Sequence, residues 1–270
     1  MSETGFSAGE IRFFRTFGFA VMRQLLTAGD IKVLERELAA GLDAQYPDRP
    51  FDGTARQWSR LTDQSTPRYA ALMEEPRFLV RAQQLRGEDV LGIGVDGNRY
   101  VTDTRWHPDT GQGDNSAVKF IFYLDAVTAA SGALRVIPGS HLLRGEEEER
   151  FAEAVRAMPP LEVPCHVVAT EPGDVIVFDI RTWHASFGGS RNRRSCNLDY
   201  FANPRSPEEE EALVVVGRGH GTTVEKFDLE RRFNYSKNWL DNPHRSPVRQ
   251  RWIDRLDGIG YFDQPFVGEP

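Results

Sequence analysis

Apolar positions along the chain follow a helical period first and strand-like runs later. In "FSAGEIRFFRTFGFAVM" the period is helical, Ser7 stands as an N-cap with Glu10 three residues on, and Phe6 precedes it as a staple. Gly18 predicts the stop, and the apolar "FAVM" that follows reads as a short strand. Thr27 predicts the cap of a second helix, "AGDIKVLERELAAGLDAQY", whose Ile31, Leu34 and Leu38 follow helical spacing. Residues 45–65, rich in Pro, Asp and Arg, read as a loop, and residues 67–86 as helical.

From about residue 89 the pattern changes. "VLGIGV", "NRYVT", "AVKFIFYLD", "ALRVIPG", "EVPCHVVAT", "DVIVFDI" and "SCNLDYFA" are short strand-like runs punctuated by Gly, Pro and Asp, the mark of a sandwich or barrel. Helical patterning returns in "EKFDLERRF" and "VRQRWIDRL". The expectation is one domain over 1–270, mainly β with flanking α: helical support over 1–88, a β core over 89–205, and a mostly helical extension over 206–270. The acidic runs in "RGEEEERF" and "SPEEEEAL" follow turn-forming residues, where a helix N-terminus favours negative charge, and read as solvated helix starts.

Composition narrows the choice of partners. The 270 residues are 27% charged and 40% hydrophobic, an ordinary globular balance, and the net charge of −7 argues against a nucleic-acid or acidic-membrane surface. No segment approaches the roughly 18 apolar residues of a membrane helix. The N-terminus has early acids and no apolar secretory core. Cys165 and Cys196 form no C-x-x-C pair, so a reducing cytoplasm is the expected setting. A small molecule is the expected partner.

Candidate chemistry centres on "RWHPDTGQG". Side chains at i and i+2 of a strand share a face, so His107 and Asp109 point the same way, and Pro108 holds His107 extended. With six histidines and 40 acids, about one H-x-[D/E] arises by chance, so the pair needs a third ligand. His184 is the candidate, at the end of the apolar run in "EPGDVIVFDIRTWHASFGGSRNRRSCNLDYF". His141 reads as a structural hydrogen-bonding residue and His166 as a core histidine. Two histidines and one carboxylate form the facial triad of non-haem iron(II) oxygenases, whereas zinc favours closed tetrahedral sites.

Taken in order, "RWHPDTG", "FYLDAVTAASGALRVIPGSH" and "PGDVIVFDIRTWHASFGGSRNRRSCNLDYFAN" resemble the phytanoyl-CoA dioxygenase-like group of Fe(II)/2-oxoglutarate-dependent oxygenases. The opening "FFRTFGFAVMRQLLTAGDIKVLERELA" is similar to that group's helix–strand–helix, and the resemblance runs to about residue 205. It implies a double-stranded β-helix (a cupin-like jelly roll) with His107, Asp109 and His184 as metal ligands, and Fe(II), 2-oxoglutarate and O2 as cofactors. It also implies an arginine for the C5 carboxylate of 2-oxoglutarate: Arg194 is the first choice, with Arg193 an outside candidate. Ser186 matches a hydroxyl that assists it, and Tyr123 or Lys119 is placed to touch 2-oxoglutarate, with core packing the competing reading.

Softer expectations concern the neighbours. Arg105 is either a pocket cation or a solvated arginine, Asn98 and Arg99 are candidates for reaching a polar substrate, and Trp106 and Trp183 point away from the metal. The resemblance implies hydroxylation of an unactivated C–H bond with release of succinate and CO2, since halogenating members lack the carboxylate that Asp109 supplies. Desaturation, epimerisation and ring closure use the same triad. A metal-free binding module and a cupin-like zinc or manganese enzyme remain the other readings.

Overall fold

The computed structural model describes residues 4–62, 65–109, 116–189, 191–226, 235 and 237–262, apart from the side chains of 218–226 and 237. Ser7 and Glu10 close the capping box that starts α1 (Ala8–Phe17). Gly18 ends it in the left-handed region at φ 83°, where an added Cβ would meet His141 and Thr182. β1 (Phe19–Met22) follows, then α2 (Ala28–Gln45), capped by Thr27 and Asp30 and burying Ile31, Leu34 and Leu38.

The next segment departs from expectation. Residues 45–65 are not loop throughout: β2 (Gln57–Arg60) pairs antiparallel with the strand that begins at Leu91. Its "QWSR" is too short and polar to announce a strand, and pairing with a neighbour creates it. The helical stretch 67–86 divides into α3 (Pro67–Leu72) and α4 (Pro76–Arg86), because Pro76 starts a helix well and continues one badly. "VLGIGV" and "NRY" merge into one ten-residue strand, β3 (Leu91–Tyr100).

The remaining elements are β4 (Thr104–His107), β5 (Ala117–Tyr123), β6 (Leu134–Val136), α5 (Gly145–Ala157), β7 (His166–Val168), β8 (Val175–Asp179), β9 (His184–Ser186), β10 (Arg193–Phe201), α6 (Pro207–Lys226), α7 (Lys237–Asp241) and α8 (Pro247–Gly258). Both acidic runs open helices, α5 and α6. The run "EKFDLERRF" lies outside the described residues beyond Lys226. His166 is exposed rather than core and stacks on Phe19, because β7 is the outermost strand of its sheet.

The strands form two antiparallel sheets, β1-β8-β5-β10-β3-β2 and β4-β9-β6-β7, the jelly roll flanked by helices. One apolar core joins the outer face of the larger sheet to α1–α4 and the C-terminal helices, through side chains such as Leu34, Tyr69, Leu198 and Trp252. A second lies between the sheets at the β1, β8, β6 and β7 side, around Phe19, Ile176, Phe178 and Val136. The β10, β3 and β2 side of the same interior is polar, and there a cavity opens.

Candidate active site

His107 closes β4 and His184 opens β9, and the two are direct cross-strand partners with ring centroids 4.4 Å apart. The backbone N–H of Asp109 donates to the Ile180 carbonyl at 2.8 Å, which brings its carboxylate back to both rings. Oδ1 lies 3.4 Å from His107 Nε2 and 3.7 Å from His184 Nε2. One ligand atom from each of the three lies within 4.8 Å of the others, close enough to hold a metal ion.

The proton positions suit that role. His107 Nδ1–H donates to the Arg105 carbonyl at 2.7 Å and His184 Nδ1–H to the Thr182 carbonyl at 2.9 Å. A carbonyl only accepts, so each ring carries its proton on Nδ1 and presents a lone pair at Nε2. Burial pulls His184 down to about 4 against the opposing charge of Asp109, so the ring is neutral at pH 7. Burial also disfavours the charged form of His107, but the hydrogen bond and charge of Asp109 outweigh it and raise its pKa. For Asp109 itself burial is outweighed by Lys119 and the two imidazoles, which hold the carboxyl well below the usual range. Lys119 Nζ donates to Asp109 Oδ2 at 2.6 Å.

A cavity of about 340 Å³ extends from the triad. Its walls include every second residue of β10 (Arg193, Ser195, Asn197 and Asp199), with Lys119, Ile121 and Tyr123 facing from β5. Ser186 also lines it and donates its hydroxyl to the Gly132 carbonyl at 2.7 Å. Lys119 and Tyr123 thus stand on the cavity wall.

Four expected positions require correction. Arg194 is turned to the helix side, where Asp125 accepts from it at 2.6 Å and Glu35 at 2.9 Å. Arg193 is the inward arginine, 3% exposed, with its guanidinium 4.8 Å from the Tyr100 ring. Its Nη1 is buried with no hydrogen-bond partner among the described residues, and an added Cβ at Gly132 would collide with it. The reason is strand alternation: Cys196, Leu198 and Tyr200 enter the helix-side core, and Arg194 shares their parity.

Arg105 is exposed and absent from the cavity wall. Thr104 pairs with Ser186 and His107 with His184, so two residues of β4 oppose one of β9, and the bulge resets the alternation. Thr104 takes the lining position. Asn98 is fully buried, donating to Asp96 at 3.0 Å and accepting from Arg56 at 2.8 Å, so it positions wall residues without reaching the cavity. Arg99 faces the helix side and is held by Asp43 at 2.7 Å and Gln57 at 3.0 Å.

The tryptophans lie away from the triad. Trp106 packs on Phe187 and donates to the Pro160 carbonyl, and Trp183 packs edge-on against Phe151. His141 is buried, 3.1 Å from the Arg15 carbonyl, the structural role expected of it. Arg56, Trp58 and Arg60 from β2 and its approach also line the cavity, as do Asp96 and Asp199, none of them among the expected site residues. The alternation of polar Ser195, Asn197 and Asp199 with apolar Cys196, Leu198 and Tyr200 was the available signal for Asp199.

The sequence profile of the phytanoyl-CoA dioxygenase (PhyH) family matches residues 14–196, well over half of the chain. The chain belongs to the phytanoyl-CoA dioxygenase family. The members of this group are Fe(II)/2-oxoglutarate-dependent oxygenases, so iron and 2-oxoglutarate are the cofactors the family implies. Solved structures of similar fold include AviO1 from Streptomyces viridochromogenes Tue57, 24% identical, covering 74% of this chain and 96% of that one, with a TM-score of 0.56. HygX from Streptomyces hygroscopicus, solved with nickel and 2-oxoglutarate, is 18% identical over 73% of this chain and 87% of its own, with a TM-score of 0.59. The epimerase SnoN from nogalamycin biosynthesis is 18% identical over 72% and 80%, with a TM-score of 0.58. No curated protein matches the chain in sequence.

Proposed function

We propose that the protein is an Fe(II)- and 2-oxoglutarate-dependent dioxygenase that hydroxylates an unactivated C–H bond of a small metabolite or natural product. The observation that carries this reading is one cavity holding both a triad of two Nε2 lone pairs and a carboxylate and, separately, a buried arginine whose Nη1 has no hydrogen-bond partner among the described residues. The donor set fits Fe(II), since nitrogen and oxygen ligands on one face leave other positions open. Arg193 fits a carboxylate, because a guanidinium grips one with two charge-assisted hydrogen bonds and a buried cation without an acceptor is costly. When bound, the pair supplies oxidation of a substrate C–H bond by O2, with release of succinate and CO2.

His107, Asp109 and His184 would hold the metal, their orientations fixed by the Arg105 and Thr182 carbonyls and the Ile180 backbone. Arg193 would bind the far carboxylate of 2-oxoglutarate, with Tyr123 and Ser186 beside it on the wall. Lys119 keeps Asp109 ionised, so the carboxylate is a ligand at neutral pH. A cytoplasmic setting fits the two free cysteines. The fold also serves an epimerase, so epimerisation at the same triad is the second reading.

Anaerobic addition of Fe(II) and 2-oxoglutarate is expected to produce a visible charge-transfer band, absent in Asp109→Ala, and Asp109→Ala should show no substrate-stimulated succinate formation. A folded wild-type protein that stays colourless would overturn the assignment. Product analysis by mass then separates the two readings, since hydroxylation adds one oxygen and epimerisation none.

A further inference from the structure

The cavity contains a second buried arginine with unsatisfied N–H groups among the described residues. Arg60, on β2, is 5% exposed, and its Nε and Nη1 have no hydrogen-bond partner among the described residues. Its place is built rather than incidental: an added Cβ at Gly94 would fall on its guanidinium, and Gly94 faces Asp199 across the β3–β10 pair. Asp96 is the direct cross-strand partner of Arg60, yet neither Asp96 nor Asp199 comes within salt-bridge range of it among the described residues. Asp96 is already occupied by the amides of Asn98 and Asn197. Among the described residues, the ion pair of Asp199 is with Lys119, at 3.8 Å.

This group lies next to the triad. Lys119 reaches Asp109 at 2.6 Å and Asp199 at 3.8 Å, so one side chain separates the metal ligand from the Asp199 end of the cavity. Charge points the same way. Arg56, Arg60, Lys119 and Arg193 face Asp96, Asp109 and Asp199 around the wall, one cation in excess. A divalent metal and a dianionic co-substrate cancel each other and leave that excess in place. A buried guanidinium with unsatisfied N–H groups and a net positive surround calls for an oxyanion.

We infer that the Arg60 end of the cavity is the subsite for an oxyanion group of the primary substrate, a carboxylate, phosphate or sulfate ester, with Asp199 accepting from a hydroxyl or amine of the same molecule. The inference rests on the oxygenase reading of this cavity, in which 2-oxoglutarate occupies Arg193 and leaves Arg60 for the substrate. It places the substrate among small anionic metabolites rather than neutral lipids or polyketides.

The test uses protein loaded anaerobically with Fe(II) and 2-oxoglutarate, titrated with inorganic sulfate as the probe and followed by thermal unfolding. Wild type should show a saturable rise in Tm, and Arg60→Met should bind sulfate about tenfold or more weakly. Arg194→Met, which removes the same charge on the helix side, should respond as wild type. Arg60→Lys keeps the charge without the fork and should fall between, which guards against misfolding of the methionine variant. A wild-type response in Arg60→Met, an equal loss in Arg194→Met, or no saturable response in the wild type overturns the subsite.

If the charge-transfer band fails, the oxygenase reading is lost. Sulfate binding to unloaded Arg193→Met, which removes the other cavity arginine with an unsatisfied N–H among the described residues, still decides the subsite on its own. In a succinate-formation screen, stimulating compounds should carry an oxyanion and lose stimulation when methyl-esterified. A neutral compound turned over equally by wild type and Arg60→Met overturns the inference.

Discussion

At the start of β10, Arg194 is held by Asp125 and Glu35 on the helix side while Arg193 turns between the sheets. The chemistry of the two residues is identical, and parity along the strand separates them. Arg193→Met is expected to raise the KM for 2-oxoglutarate about 100-fold, the cost of a lost charge-assisted pair. Arg194→Met should leave that KM within about twofold and lower stability by about 1 kcal/mol, since its partners are partly solvated. Coupled succinate assays and chemical denaturation measure both.

The same parity was written in "RRSCNLDYF", whose polar Ser195, Asn197 and Asp199 alternate with apolar Cys196, Leu198 and Tyr200. The family resemblance puts Arg194 first, whereas the alternation favours Arg193. The three triad residues were legible because chemistry restricts their types and Pro108 keeps His107 extended. Arg105 was not, because a bulge depends on the partner strand and leaves no mark in its own residues.

At the scale of elements, the capped helices and the stop at Gly18 followed directly from local signals, since capping is a contact between residues three apart. β2 had no such signal, and its inward residues, Trp58 and Arg60, were missed with it. The turn before β6 gives a sharp test of how elements shape the cavity. Gly132 has φ 88° and lies against the Arg193 guanidinium. Gly132→Ala should therefore cost about 1 kcal/mol or more through backbone strain. It should also weaken 2-oxoglutarate binding at least tenfold by displacing Arg193. A variant that is destabilised but binds normally would show that the close approach has no bearing on the co-substrate.

For the whole molecule, the N-terminal helices brace the outer face of the large sheet whose inner face carries the cavity. An ionic network ties them together: Asp30 of α2 accepts from Arg68 at 2.7 Å and from Arg77 at 3.0 Å, and both arginines also pair with Glu75. Burial would raise the Asp30 pKa, but the hydrogen bonds from the two arginines outweigh it and hold the carboxyl well below the usual carboxylate range. A carboxyl depressed in the folded state contributes stability above its unfolded pKa of about 3.9 and loses it as pH falls. Asp30→Asn should thus lower stability at pH 7 by about 2 kcal/mol and flatten the acid limb of the stability curve below about pH 4. Denaturation midpoints from pH 7 down to pH 3 read both effects.

The strict alternation of β10 has one more consequence, for how the connection from β9 to β10 can vary. A length change there that slips the strand by one residue would exchange inside for outside along its entire run. Arg193, Ser195, Asn197 and Asp199 would all leave the cavity together, and Cys196, Leu198 and Tyr200 would fill it. A slip of two residues would restore the parity. Loop lengths that keep the pocket intact are therefore expected to differ in even steps wherever the strand, rather than the loop, absorbs the change.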